Sequence, residues 1–347
     1  MSNKSFVITV LGMAGSAFVV VAALNLYVNP YAQYPTNFIE PLVQTSRAQK
    51  TELLATQESP PAGLLLGSSR VLKYEPAYLK ERLGQSFFNA GVNYGKSEDY
   101  LAFLRFYENQ FGCLPQTVII GLDVHGFNDH LSTDSRLLNN RQLICSIPEA
   151  IPFSDRFQSL KELLSWQQTM SSLRSLRRAS DEGGVEPPHE SFRSDGMIVY
   201  HERERQIADG IYDFSSALDW NKREYKQLFS GYGKLSKRRI ELFYKTLDAC
   251  QKGGSRVVVF LTPMHPDLDE YLSETTTYHA RRNELVELLT TQSLEDGFTF
   301  ADLSDISTFE GVSNQFVDGI HPLEANTRRV IDRLFATPME GSQYALQ

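Results

Sequence analysis

The sequence predicts an α/β fold with a parallel β-sheet. Short apolar segments alternate with helix-length segments, and strands separated by helices pair in parallel, with helices on both faces of the sheet. Several of these apolar segments run directly into small and polar residues, as expected at the carboxyl ends of strands in such a sheet. The predicted strands are 64–66, 86–89, 117–122, 257–261 and 298–303.

The first element of the chain is a predicted transmembrane helix, and we interpret residues 1–28 as an anchor. Residues 6–28 contain no charged side chain, and about 20 apolar residues suffice to span the hydrocarbon core of a bilayer. A cleaved signal peptide is the alternative, but its apolar region has about 7–15 residues and is shorter than this one. Lys4 precedes the segment and no basic residue follows before Arg47, which favours a cytoplasmic N-terminus and a periplasmic or extracellular body.

Residues 29–61 form a predicted tether, because prolines are spread through polar sequence that suits an extended connector. We expect one helix within it, at about 47–57. The α/β domain is predicted at 62–335, and residues 336–347 are a predicted C-terminal tail.

The helices of the α/β domain are predicted from apolar spacing and from signals at their ends. One begins at Ser97 and carries acidic residues in its first turn, where they stabilise a helix. Another ends at Gly253, a common residue at a helix C-terminus. The predicted helices are 77–83, 97 to about 111, 235–252, 278–290 and 323–335.

Residues 130–234 show only a weak periodic signal, and we interpret them as a mostly helical insertion into the sheet domain. Two helical stretches are expected there, at 157–172 and 173–178. The Gly-, Pro- and Glu-rich composition of 181–188 predicts a loop.

Charge and cysteine content restrict the function classes. The net charge of −8 over 347 residues argues against a nucleic-acid partner. Cys250 continues the apolar face of a predicted helix and is expected in the core. Cys113 and Cys145 are expected in loops near one strand, and we predict that they pair if the compartment is oxidising. No Cys/His cluster has zinc-site spacing, and we do not interpret His125 and His130 as metal ligands.

The candidate catalytic residues lie in two segments far apart in the chain. Ser69 stands in a turn after the predicted strand 64–66, where nucleophiles of α/β enzymes are found. A serine hydroxyl is a weak nucleophile unless an oriented base accepts its proton. Asp318 and His321 are three residues apart, so that Asp318 can accept the Nδ1 proton of His321 and leave Nε2 free for Ser69.

A serine nucleophile also needs donors that stabilise the negative oxygen of the transition state. The sequence offers three candidates for this oxyanion hole. They are the backbone N–H of Ser69, the backbone N–H of a glycine after the second strand (Gly91 or Gly95) and the side-chain amide of Asn128.

Together these motifs resemble those of the SGNH (GDSL-like) hydrolase superfamily. The order is Gly-x-Ser at 67–69, a glycine turn after the second strand, Gly-x-Asn-Asp at 126–129 and Asp-x-x-His-Pro at 318–322. The resemblance covers about 62–335, apart from the insertion. The anchor, the Gly-Ser-Ser start and the Thr-Pro-Met-His-Pro segment at 262–266 look most like its membrane-tethered bacterial branch. That branch includes alginate-type polysaccharide O-acetyltransferases and the D-alanyl-lipoteichoic acid protein.

The resemblance implies a flavodoxin-like three-layer fold with Ser69 as nucleophile and His321 and Asp318 completing the triad. It implies Gly91 or Gly95 with Asn128 as oxyanion donors, and no metal or organic cofactor. Ser68 stands where the family usually has Asp, and it is the alternative nucleophile.

Two placements of Asn128 are compatible with the sequence, because it lies several residues beyond the predicted strand end at Leu122. Either the strand continues through 123–125 and Asn128 reaches the site, or Asp123 occupies the strand-end position and Asn128 is a turn residue.

Residues and resemblance together predict a membrane-anchored serine acyl-transfer enzyme outside the cytoplasm, acting as an O-acetyltransferase on a cell-surface or exported polysaccharide. A multi-span membrane acyltransferase is an expected partner that would deliver the acyl group. Two alternatives fit the same residues. One is an esterase, and the other is an inactive subunit that binds polysaccharide or belongs to an export complex, since a fold does not guarantee activity.

Other residues are candidates for substrate binding because they lie near predicted strand ends: Ser68, Arg70, Asp123 and His265. Several arginines are candidate contacts for an anionic polysaccharide, although solvated helix faces are the usual place for such residues. They are Arg174, Arg177, Arg178, Arg238 and Arg239.

Overall fold

A five-stranded parallel sheet lies at the centre of the protein, which we describe from a computed structural model covering residues 3–34, 36, 38–180 and 188–336. In chain order the strands are β1 (Val43–Gln44), β2 (Gly63–Gly67), β3 (Phe87–Asn89), β4 (Thr117–Leu122), β5 (Glu190–Phe192), β6 (Ile198–Val199), β7 (Arg256–Leu261) and β8 (Thr299–Asp302). The central sheet has the order β3-β2-β4-β7-β8, and each neighbouring pair is parallel. When the strands of this sheet alone are numbered along the chain, the order is 2-1-3-4-5. This is the order of flavodoxin-like folds, so the predicted fold class is confirmed.

Helices cover both faces of the sheet. In chain order the helices of the described residues are α1 (Asn3–Val28), α2 (Arg47–Ala55), α3 (Pro76–Leu83), α4 (Ser97–Phe111), α5 (Ser135–Leu138), α6 (Arg141–Ser146), α7 (Gln158–Leu163), α8 (Trp166–Ser180), α9 (His201–Ala208), α10 (Phe214–Leu228), α11 (Lys237–Lys252), α12 (Pro266–Thr275), α13 (Tyr278–Asp296) and α14 (Glu324–Leu334).

Alternate residues of the strands build two separate cores. Leu64 and Leu66 of β2 lie in the larger cluster, which includes residues of α4, α11 and α13. Leu65 between them lies in the second cluster, with residues of α3 and α14. This alternation is the two-residue period of a strand that is buried on both faces.

The helices differ from the sequence-based expectation in several places, and α5, α6, α9 and α10 of the insertion were not predicted individually. The stretch predicted as one helix at 157–172 is divided into α7 and α8, because the Ser165 hydroxyl accepts the Gln168 N–H and starts a new helix. Helix α12 was not predicted, although Pro266 at its first position and acidic residues in its first turn are start signals.

The segment predicted as a tether is partly packed against the rest of the protein. Strand β1 pairs in parallel with β5 of the insertion, and β5 pairs with β6 to complete a small second sheet. Lys50 of α2 is fully buried and donates to the carbonyl oxygens of Asn89 and Gly196. The segment therefore joins the main sheet to the insertion.

The N-terminal helix α1 is long and apolar enough to cross a membrane, and its most apolar window is not buried in the protein. Its last turns do contact the body, since Asn25 and Val28 are buried. The predicted loop at 181–188 and the predicted tail at 336–347 lie outside the described residues, apart from positions 188 and 336.

The three cysteines have different surroundings, one buried and two exposed. Cys250 is buried in the larger core cluster, as predicted. The predicted pairing of Cys113 with Cys145 is wrong for this structure. Cys113 follows the end of α4 and Cys145 belongs to α6, and each is an exposed free thiol.

A buried ion pair fastens α11 to α4. Arg239 and Glu98 are both fully buried, and two guanidinium nitrogens of Arg239 lie 3.3 Å from the Glu98 carboxylate. Arg239 also donates to the carbonyl oxygens of Asn128 and Leu131 at the start of the insertion. Its burial excludes the predicted contact between Arg239 and an anionic polysaccharide.

Arg239→Leu should lower the free energy of unfolding by about 3–5 kcal/mol, because it leaves the Glu98 carboxylate buried without its main partner. Urea unfolding of the full-length protein in detergent would measure this loss. The control is Lys252→Ala, which removes an exposed ion pair with Asp248 and should change stability little. Equal effects of the two substitutions would contradict the role of the buried pair.

Candidate active site

The candidate nucleophile Ser69 lies in a tight turn at the carboxyl end of β2. A Cβ atom on Gly67 would lie 2.8 Å from the methyl groups of Val71 and 2.9 Å from the carbonyl oxygen of Gly121, so the turn requires glycine here. The Ser68 hydroxyl then accepts the Arg70 N–H at 3.2 Å and caps a single helical turn at 69–71. This leaves the Ser69 side chain facing a cavity.

The base lies in the loop before α14, in the turn that the sequence motif predicts. Asp318 Oδ1 accepts the backbone N–H groups of Ile320 and His321, both at 2.9 Å. Asp318 Oδ2 lies 2.8 Å from His321 Nδ1, and His321 Nε2 lies 2.9 Å from Ser69 Oγ. The structure thus brings the three predicted triad side chains into one hydrogen-bonded chain, although 252 residues separate Ser69 from His321.

The surroundings of Asp318 favour its charged form. Burial alone would raise its pKa, but the charge and hydrogen bond of His321 and the charge of Arg203 outweigh burial and lower it to about 2. Arg203 Nη1 lies 3.7 Å from Asp318 Oδ2. A carboxylate that stays ionised holds the proton on His321 Nδ1, so that Nε2 can accept the Ser69 proton.

The cavity in front of Ser69 has a volume of about 370 Å³, and the insertion supplies much of its wall. None of these wall residues lies in an element that the sequence predicts. They are Arg136, Glu190, Tyr200, Arg203, Tyr212, Ala217, Trp220, Asn221, Glu224 and Tyr225. Trp220 is 54% exposed, and Tyr94 from the loop after β3 is 41% exposed, so two aromatic faces are open to a ligand.

Two carboxyl groups of the cavity have raised pKa values. Burial raises the pKa of Glu190, although the charges of Arg203 and His321 oppose the shift. Burial also raises the pKa of Glu224, and a hydrogen bond from Tyr94 opposes it. Carboxyl oxygens accept hydrogen bonds, so both groups can bind hydroxyl groups of a ligand.

Only two of the four residues predicted to bind substrate lie at the cavity. Ser68 and Asp123 are among its lining residues. Arg70 is buried beneath the turn, where it donates to the carbonyl oxygens of Thr262 and Pro263. The prediction for Arg70 is therefore wrong, because its guanidinium group is directed into the protein.

His265 is also absent from the cavity wall. Its Nδ1 accepts the Asp267 N–H at 3.2 Å and caps α12. Its ring packs against Phe214 and Phe316, with centroids 5.2 and 5.7 Å away. His265 thus has a structural role, and the prediction that it binds substrate is wrong.

Two of the three predicted oxyanion donors, the glycine N–H and the Asn128 amide, do not lie at the cavity. The Gly91 N–H donates to Asn89 Oδ1 at 3.0 Å, and the alternative, the Gly95 N–H, donates to the carbonyl oxygen of Val92. The Asn128 amide donates to the carbonyl oxygen of Leu228 at 2.7 Å. Of the two placements of Asn128 that the sequence allowed, the second is correct. Strand β4 ends at Leu122, Asp123 occupies the strand-end position and Asn128 is a turn residue.

Asn93 is a lining residue that the sequence did not single out for the site. Its backbone carbonyl accepts from Arg47, 3.2 Å away, and from Arg136, so the loop that carries it is held in place. Of the predicted oxyanion donors, the Ser69 N–H remains at the cavity, at the start of the helical turn 69–71. Among the described residues, no three His, Cys, Asp or Glu side chains are grouped to hold a metal ion.

The Asp318 carboxylate should make stability depend on pH. Its pKa is lowered in the folded protein, so its contribution is present above about pH 4 and is lost as the pH falls through about 2. Wild type should therefore lose about 2 kcal/mol relative to Asp318→Asn on acidification over this range. Urea unfolding at a series of pH values would measure the difference, with Asp248→Asn at an exposed ion pair as control. A difference that is constant with pH would contradict the assignment.

Comparisons with known proteins leave the family open. No protein-family model matches the chain, and no curated protein matches it. A crystal structure from Bacteroides fragilis, described as a "putative acylhydrolase", is similar over 83% of this chain and 90% of that chain. Its sequence identity of 11% and TM-score of 0.36 are too low to support an argument about activity. The fold assignment therefore rests on the strand order of this protein itself.

Proposed function

We propose that this protein is a membrane-anchored serine acyl-transfer enzyme. The observation that carries the proposal is the hydrogen-bonded chain from Ser69 through His321 to Asp318. Ser69 Oγ attacks the carbonyl carbon of an acyl donor while His321 Nε2 takes its proton, and His321 then protonates the leaving group. An acceptor hydroxyl, again deprotonated by His321, attacks the acyl-enzyme and releases Ser69.

The negative oxygen of each tetrahedral intermediate needs donors in this scheme. We assign them to the Ser69 N–H and the Asn93 side-chain amide. The Ser69 N–H begins a helical turn, where the first N–H groups have no acceptor within the turn. Asn93 lines the same cavity.

The proposed acceptor is a cell-surface or exported polysaccharide, and the proposed acyl group is acetyl. Support comes from the exposed rings of Trp220 and Tyr94 and from the carboxyl groups of Glu190 and Glu224 in the cavity wall, which suit a ligand rich in hydroxyl groups. The helix α1 would anchor the protein, with the body outside the cytoplasm. A multi-span membrane protein is the proposed source of the acyl group.

Two other functions use the same site. In an esterase, water takes the acyl group, and the incomplete burial of Ser69 gives water access. In an inactive polysaccharide-binding or export-complex subunit, the oxyanion hole would not function, and the placement of Gly91 and Asn128 outside the cavity favours this alternative.

Ser69→Ala should abolish covalent labelling by a fluorophosphonate, because the reagent reacts with a serine whose proton is taken by a base. The control is Ser68→Ala, which removes the neighbouring hydroxyl and should leave the protein open to labelling. Mass spectrometry of the labelled peptide would identify the serine. Absence of labelling in wild type would support the inactive subunit. Labelling that persists in Ser69→Ala would show that another residue is the nucleophile.

Trp220→Ala should separate acyl transfer from hydrolysis. If the indole packs on a sugar acceptor, its loss should lower transfer to an oligosaccharide by about 10-fold, while release of p-nitrophenol from the acyl donor p-nitrophenyl acetate stays near the wild-type rate. Trp166→Ala, which changes the other tryptophan of the chain and does not alter the cavity lining, is the control. A wild type that hydrolyses the ester but transfers no acetyl group would be an esterase.

A further inference from the structure

An apolar surface on the insertion lies next to the end of the anchor helix. Five large apolar side chains within 14 residues are exposed, and we call them the apolar patch. Their exposed fractions are 73% for Phe153, 54% for Phe157, 56% for Leu160, 37% for Leu164 and 78% for Trp166. A soluble surface rarely carries so many large apolar side chains in one place, so this one needs a partner.

The patch is fastened to α1 by hydrogen bonds. Asn25, in the last turns of α1, is fully buried. Its Nδ2 donates to the carbonyl oxygen of Leu163 at 2.8 Å and to Thr169 Oγ1 at 3.0 Å, and its Oδ1 accepts the Ser172 hydroxyl at 2.8 Å. The segment that carries the patch is therefore held at the point where α1 ends.

The inner face of α8 is polar, which leaves its apolar residues outside. The buried residues of α8 are Gln168, Ser171, Ser172 and Ser175. One of them, Ser171, forms a 2.5 Å hydrogen bond with Tyr31, just beyond α1. Because small polar side chains contact the anchor, Trp166 at the start of α8 is directed away from the protein.

We propose that the apolar patch lies in the headgroup region of the bilayer leaflet from which α1 emerges. Leu26 and Tyr27 are exposed in the last turn of α1, next to Asn25, which bonds to the segment that carries the patch. Tyr27 also stacks on Phe38, which is 65% exposed, so aromatic rings gather at this level, as they do at membrane interfaces. This inference rests on the anchor part of the proposed function and not on its acyl-transfer chemistry.

Charge next to the patch is consistent with lipid as the occupant. Arg174 and Arg177 are exposed on α8, the helix that begins with Trp166 of the patch. Interfacial helices combine basic residues, which contact phosphate headgroups, with aromatic and leucine side chains in the acyl boundary. Contact with the bilayer at two places, α1 and the patch, would fix the height of the body above the membrane.

The two tryptophans of the chain provide the test and its control. In Trp220→Phe the remaining tryptophan is Trp166 of the patch, and in Trp166→Phe it is Trp220 of the cavity. Each full-length variant, purified without other proteins, is reconstituted into vesicles of phosphatidylcholine and phosphatidylglycerol. A spin label on the acyl chain, near the headgroup or near the chain end, quenches tryptophan emission at short range. Far-UV circular dichroism checks that both variants keep the wild-type fold.

We expect the headgroup-proximal label to remove at least about half of the Trp166 emission, more than the chain-end label removes, because interfacial side chains lie about 5–10 Å deep. Trp220 should keep its emission with either label. Equal quenching of the two tryptophans, stronger quenching of Trp166 by the chain-end label, or an unquenched Trp166 that iodide reaches from water would each overturn the proposal. The last result would point to a protein partner on the patch.

Extraction with alkaline carbonate separates failure of this inference from failure of the anchor. Wild-type protein that stays in the vesicle pellet retains its anchor, and an unquenched Trp166 then overturns only the placement of the patch. Protein that carbonate releases overturns both the anchor and the placement of the patch. Neither result changes the fluorophosphonate test of Ser69.

Discussion

The position of the candidate nucleophile depends on a buried guanidinium group beneath it. Arg70 follows Ser69 directly and donates to two backbone carbonyl oxygens just past the end of β7. Its Nη1 also lies 3.5 Å from Asp123 Oδ1 at the end of β4. One side chain therefore joins the carboxyl ends of the three central strands. Because a buried charge without partners is costly, the strand ends can take only a narrow range of relative positions, and Ser69 is presented to His321 from a rigid edge.

The sheet and the triad were predictable because each of their parts is encoded in a short segment. The β-branched run of β4 predicts its strand within the same bounds that the structure shows. The three-residue spacing of Asp318 and His321 allows one carboxylate to accept both the following N–H groups and the imidazole proton. Trp220 and Arg203 were not predicted at the site, because α9 and α10, which carry them, reach it only through the tertiary packing of the insertion. No local sequence pattern indicates such a placement.

The oxyanion donors show a different limit of sequence reasoning. A backbone N–H or an amide side chain is available to a substrate only if no other acceptor takes it. Asn89 lies two residues before Gly91 and accepts its N–H, a competition that the glycine turn itself does not indicate. The acceptor of the Asn128 amide is Leu228, 100 residues away in the insertion. A motif gives the identity of a donor, whereas the fold determines which acceptor it finds.

The insertion links the cavity to the N-terminal segment. Strand β5 places Glu190 in the cavity wall and pairs with β1 from the segment that follows α1. Helix α8 of the same insertion bonds to Asn25 at the end of α1. The distance from the end of α1 to Ser69 is therefore set by folded structure, whereas a flexible linker would allow it to vary with chain fluctuations. A fixed distance suits the proposed transfer from a membrane-held acyl donor, because the donor and the serine then meet without the entropy cost of ordering a linker.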